Sequence, residues 1–115
     1  MPGERILLVE DDADVRGMLD TALRGAGYEV DPAATAARAR SNLDAFRYDL
    51  VIADWRLPDG DGLDIADLAA DGGAKTILMS GYLFLVPAEK ATRHELLMKP
   101  MRPSELVEAV KRLIG

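Results

Sequence analysis

The chain contains no cysteine and a single histidine, His94. A disulfide framework and a thiolate metal site are therefore excluded, and a zinc centre, which draws on cysteine and histidine, has almost no ligands to use. The same usage fits a reducing cytoplasm, which is the expected location. Long apolar runs are missing too. The N-terminal MPGERILLVEDD holds only a short one at Ile6 to Val9, far from the length of a signal peptide or a membrane span. No run of lysine and arginine with interleaved aromatics occurs, and the formal net charge of −6 would repel a phosphate backbone, so direct nucleic-acid binding is not expected. Internal repeats, low-complexity tracts and linkers are absent as well.

What is present has the composition of an ordinary globular protein, 49% hydrophobic and 30% charged, and 115 residues suffice for one core but not two. A single domain over 1–115 is the expectation. Ile6 to Val9 and Leu50 to Ala53 read as strands buried on both faces, Thr76 to Met79 as another apolar strand, Leu96 to Met98 as the last strand, and Tyr28 to Val30 as a brief one. Between them apolar residues recur at helical spacing. Val15, Leu19 and Leu23 follow a capping Asp12, and Ala36, Ala39, Leu43 and Phe46 follow Thr35. Leu63 to Ala70 makes a third helix, and Leu106, Val110, Leu113 and Ile114 follow a capping Ser104.

Alternation of short apolar strands with amphipathic helices predicts a parallel sheet covered on both faces, because each parallel crossover needs a helix. Ligands of such sheets gather at the carboxyl ends of the strands. The polar residues that interrupt the pattern stand at those ends: Glu10 and Asp11 after the first strand, Asp54 after the third, Ser80 after the fourth and Lys99 after the fifth.

Those residues, within ILLVEDDADVR at 6–16, DLVIADWRLPDGDGLDIA at 49–66 and LLMKP at 96–100, resemble the receiver domains of two-component signalling over nearly the whole chain. The resemblance implies a flavodoxin-like (βα)5 fold with strand order 2-1-3-4-5. It implies a phosphoacceptor that takes a phosphoryl group onto Asp54 from a sensor histidine kinase or a histidine phosphotransfer protein, then switches its contacts with a downstream protein partner. It is not expected to be an enzyme beyond its own phosphorylation and dephosphorylation. Either a stand-alone receiver or a piece of a longer regulator or hybrid kinase fits.

The chemistry explains the residue types. A carboxylate attacking phosphorus is repelled by the phosphoryl oxygens, and a hard divalent cation held by carboxylates relieves that repulsion. Mg2+ is the expected cofactor, with Asp11 and Asp54 as direct ligands. By family analogy Glu10 acts through a water and the Arg56 carbonyl completes the set. Asp54 is then the nucleophile, Lys99 a point charge on one phosphoryl oxygen and Ser80 a hydrogen-bond donor to another. Family position also gives the Arg56 side chain a place at the pocket mouth, tuning phosphate lifetime. Trp55 is read as a partly exposed neighbour and His94 as a loop residue without chemistry.

The chain also departs from the family pattern. Twenty-five residues separate Asp54 from Ser80 and eighteen separate Ser80 from Lys99, several fewer than usual in each case. The fourth helix is therefore expected to be short or irregular, confined to Ala88 to Arg93. The apolar tip Leu83-Phe84-Leu85-Val86 ahead of Pro87 is expected to serve partner binding or a homodimer. Leu96 stands where many receivers carry an aromatic that moves with the hydroxyl. Met79-Ser80-Gly81-Tyr82 resembles the alphaproteobacterial FATGUY group, although Leu78-Met79 differs from its Phe-Ala. Two other readings remain open: a degenerate receiver used purely as a binding module, and a Mg-dependent phosphohydrolase, whose DxDx[TV] signature is missing here.

Overall fold

A computed structural model describes residues 3–82 and 85–115. Five parallel strands, β1 (Arg5–Val9), β2 (Glu29–Ala33), β3 (Leu50–Asp54), β6 (Lys75–Ser80) and β7 (Glu95–Met98), form one sheet in the order β2-β1-β3-β6-β7. This is the predicted order once a two-stranded antiparallel ribbon, β4 (Arg56–Leu57) and β5 (Gly60–Asp61), is counted in the numbering. In the sequence that ribbon reads as a turn, since Pro58-Asp59 at its tip and two residues per arm leave no apolar period to detect.

Successive strand residues point to opposite faces, and the two cores follow from that alternation. Ile6, Leu8, Leu50, Ile52, Ile77 and Met79 pack beneath α1 (Ala13–Gly25) and α5 (Pro103–Ile114). Leu7, Val9, Val51 and Ala53 pack beneath α2 (Ala36–Ala45) and α3 (Gly62–Asp71). The small Ala36 and Ala39 let α2 lie close to the sheet, which explains its thin apolar face.

Several local expectations are corrected. The second strand runs on through Pro32, which an edge strand tolerates because it pairs on one side only. Phe46 leaves the helical face predicted for it, terminates α2 as its C-cap and lies exposed beneath the Arg5 guanidinium, 4.2 Å from the ring centre. Ser104 is inside α5 rather than its cap; Pro103 opens the helix, and the Glu105 carboxylate accepts the Arg102 N–H at 3.0 Å. Asp12 and Thr35 cap α1 and α2 as expected.

The fourth helix, α4 (Ala88–Ala91), is four residues long. Of the apolar tip ahead of it, Leu83 and Phe84 lie outside the described residues. Leu85 is exposed, and Val86 is buried against Leu63 and Leu78.

Candidate functional site

The strand order reverses between β1 and β3, whose neighbours continue outward on either side, so their carboxyl ends flank an open crevice. Glu10 is held there by its own N–H, which donates to the Ala33 carbonyl at 3.0 Å. Its side chain is fully buried yet satisfied: one carboxylate oxygen meets Lys99 Nζ at 2.7 Å and the other accepts the Asp12 N–H at 3.0 Å. Asp11, next along, is exposed, and its carboxylate has no hydrogen bond or ion pair among the described residues. Asp12 accepts from the Asp14 and Val15 amides and starts α1. From the first turn of α1, Arg16 donates back to the carbonyls of Glu10 (2.9 Å) and Asp11 (3.3 Å).

Asp54 closes β3 and is 9% exposed, with Lys99 Nζ 3.2 Å from its Oδ2. Lys99 arrives from β7 with its N–H donating to the Ser80 carbonyl at 2.9 Å, just before the cis Lys99-Pro100 peptide. One ammonium thus bridges two carboxylates that stand at the ends of neighbouring strands. Burial, and then the charge of Glu10, push the Asp54 carboxyl up to about 7, against the opposing pull of Lys99. Burial pulls Lys99 down, but its hydrogen bond to Glu10 and the charge of Asp54 outweigh that and leave it raised. The cluster carries more negative charge than one lysine offsets.

That deficit suits a cation. Glu10, Asp11 and Asp54 each offer a carboxylate oxygen, all within 4.8 Å of one another. Hard oxygen donors with one exposed member fit an ion such as magnesium that keeps several waters. Ser80, buried at the end of β6, accepts the Tyr82 N–H on Oγ at 2.8 Å, which leaves its own hydroxyl proton to donate. The Arg56 side chain, expected at the pocket mouth, is exposed and lies over the Trp55 ring at 4.7 Å from its centre. Trp55 is half-buried against Leu63, Leu78 and Val86, in keeping with its expected place beside the site.

The turn after Asp54 is fixed from two directions. Gly62 donates its N–H to the Trp55 carbonyl at 2.6 Å, and a Cβ at this position would overlap the Asp54 carbonyl. Gly62→Ala is accordingly expected to cost about 1–3 kcal/mol by overpacking, checked by urea unfolding, and to shift the Asp54 amide resonance. Asp59, a turn residue by its sequence, reaches across to accept the Ala36 and Ala37 amides at 2.7 and 2.9 Å. These two bonds hold its pKa below the usual value.

His94 lies in the bend ahead of β7, a loop residue as expected, but one that anchors its loop. It is buried, with Nδ1 2.5 Å from Thr76 Oγ1 on β6 and Nε2 2.7 Å from Asp67 on α3. Arg93 beside it pairs with Asp71 at 2.6 Å. This staple sits at the opposite end of the strands from Asp54. A lone histidine in a polar stretch gives no signal of it, because its partners lie 18 and 27 residues away. Arg16 is legible in principle, being one helical turn past the acidic run.

The parallel sheet with an acidic cluster and a lysine at its strand ends is the architecture of a receiver-type α/β module, and comparison with known proteins identifies the family. The family model for the response regulator receiver domain matches residues 6–111, and the chain belongs to that family. It is 33% identical to the chemotaxis protein CheY of Thermotoga maritima over 96% of this chain and 98% of that protein. It is 32% identical to the DNA-binding response regulator MtrA of Mycobacterium tuberculosis over 94% of this chain and 49% of MtrA. The chain thus spans about half the length of MtrA proteins. Among solved structures, the Thermotoga maritima response regulator TrrA in complex with Mg2+ and BeF aligns with a TM-score of 0.86 at 32% identity, covering 96% of this chain and 99% of TrrA. TrrA bound to the histidine kinase ThkA aligns with a TM-score of 0.84, also at 32% identity, over 97% of this chain and 99% of TrrA.

No described helix is long and apolar enough to cross a membrane.

Proposed function

We propose that the chain is a working phosphoacceptor: it receives a phosphoryl group on Asp54 from a histidine kinase or histidine phosphotransfer protein and thereby changes its contacts with a downstream protein. One observation carries this reading: Lys99 Nζ lies within 3.2 Å of both Glu10 and Asp54, with the Asp11 carboxylate, which has no partner among the described residues, alongside. A bound Mg2+, held by Asp11 and Asp54 with Glu10 and the Arg56 carbonyl in support, would supply charge neutralisation.

The protein's own residues account for the rest. Asp54 presents a carboxylate oxygen to phosphorus; the new O–P bond forms as the donor's bond to phosphorus breaks, and the donor's leaving group departs with that electron pair. Lys99 is placed to neutralise one phosphoryl oxygen, and the Ser80 hydroxyl to donate to another. Since Ser80 Oγ is already tied to the Tyr82 amide, movement of Ser80 would carry the following loop with it. The solved TrrA complex with ThkA supports a histidine kinase as donor.

Incubation with acetyl phosphate and Mg2+, followed by intact mass spectrometry, tests the proposal. One phosphoryl group per chain, dependent on Mg2+, is the expected result. Continuous release of phosphate with no retained label would favour a phosphohydrolase, and no label at all would favour a pure binding module.

A further inference from the structure

Arg16 takes no part in the chemistry just described, yet its guanidinium fastens the backbone of both leading acidic residues. Its NH1 reaches the Glu10 carbonyl at 2.9 Å and the Asp11 carbonyl at 3.3 Å. The arginine is itself rooted in α1, where its N–H donates to the Asp12 carbonyl at 2.8 Å. The loop 10–12 is therefore tied at the sheet by Glu10 N–H to Ala33, within itself by Asp12 N–H to Glu10, and to the helix by Arg16. Of its three carboxylates, only that of Asp11 is left without a partner among the described residues.

We infer that Arg16 is a positioning residue for the cation site: by clamping two consecutive carbonyls it presets the loop so that Asp11 and Glu10 converge on Asp54 before any ion arrives. The inference rests on the phosphoacceptor reading for its purpose, though the clamp itself can be tested without it. Two effects of Arg16 oppose each other. Its positive charge disfavours a cation nearby, whereas the two bonds that NH1 makes to the loop lower the ordering cost of binding one. Lysine at this position keeps the charge, but its Nζ stops short of where NH1 stands, so the bonds to both carbonyls are lost and the second effect is isolated.

In Arg16→Lys the Mg2+ concentration for half-maximal acetyl-phosphate labelling is expected to rise about tenfold, the size typical of losing an outer support of a metal ligand. The labelling rate at saturating Mg2+ should stay within about twofold, because no contact to the reacting atoms is lost. Arg16→Gln, which also removes the charge, should show a smaller rise. Arg24→Lys, farther along α1 where Arg24 pairs with Asp20, should leave the Mg2+ requirement unchanged. In Mg2+-free protein, the Asp12 amide should exchange faster in Arg16→Lys than in the parent chain, since the carbonyls of Glu10 and Asp11 on either side of it lose their tie to α1.

An unchanged Mg2+ requirement in Arg16→Lys, or a requirement altered only in Arg16→Gln, would overturn the clamp and leave a charge effect. A folded Arg16→Lys that labels poorly even at saturating Mg2+ would overturn it as well. If the parent chain neither binds Mg2+ nor labels, the phosphoacceptor reading fails. The amide exchange then still decides whether Arg16 orders the loop.

Discussion

Asp54→Asn is expected to abolish acetyl-phosphate labelling, by on the order of a hundredfold or more, while making the Mg2+-free protein more stable at neutral pH. The two halves share one cause. Asp54 is buried beside the fully buried Glu10, and its carboxyl is raised to about 7 from an ordinary value of 3.8. A folded-state pKa above the unfolded one means that the folded chain holds the proton more tightly. The stability linked to that proton is fully present below pH 3.8 and is lost as pH rises through about 7. The amide cannot ionise, so the variant escapes that loss.

The advantage of Asp54→Asn should therefore be absent at pH 4, grow through pH 6 and level off above pH 7.5, reaching about 2 kcal/mol once the lost Lys99 contact is set against it. Urea unfolding at three pH values, without Mg2+, measures it. A variant less stable than the parent at pH 8 would show that Asp54 is not strained by its neighbours. Added Mg2+ should stabilise the parent chain and do little for the variant.

Lys99→Met should have the opposite sign. The methionine keeps the volume of the side chain but removes the cation on which buried Glu10 depends, at 2.7 Å. Leaving a buried carboxylate without its partner costs about 3–5 kcal/mol in general, and because Lys99 is itself partly exposed a loss of about 2–3 kcal/mol is expected. Mg2+ should restore part of this loss, since the ion takes over the neutralisation. Labelling should nevertheless slow by about 10²–10³-fold even at saturating Mg2+, as an electrostatic contact to the transferring group is gone. A Lys99→Met variant with normal labelling would remove Lys99 from the site.

How plainly these residues stand out in the sequence varies with how local their signal is. Asp54 and Glu10 each end a short branched apolar run, where a charge is conspicuous because buried strands otherwise exclude it, and Lys99 ends the apolar Leu96-Leu97-Met98, a strand that proves half exposed. The strand order comes through family resemblance, not from the periodicity, which fixes alternation but not adjacency. Asp59, Thr76, Asp67 and His94 escape notice for the converse reason. Each is an ordinary polar residue in an ordinary turn, strand, helix or loop, and becomes significant only when a partner some 18 to 27 residues away is folded against it.

By itself the sequence determined the alternation of strands and helices, the capping of α1 and α2, and which side chains stand at the strand tips, because those properties depend on neighbours within about one turn or one strand. Only the tertiary structure decided that Lys99 bridges Glu10 and Asp54 and that His94 is buried as a staple. Such contacts join segments that the folded chain alone brings together. Their energetics come from desolvation and charge at short range, which exist only once the chain has folded.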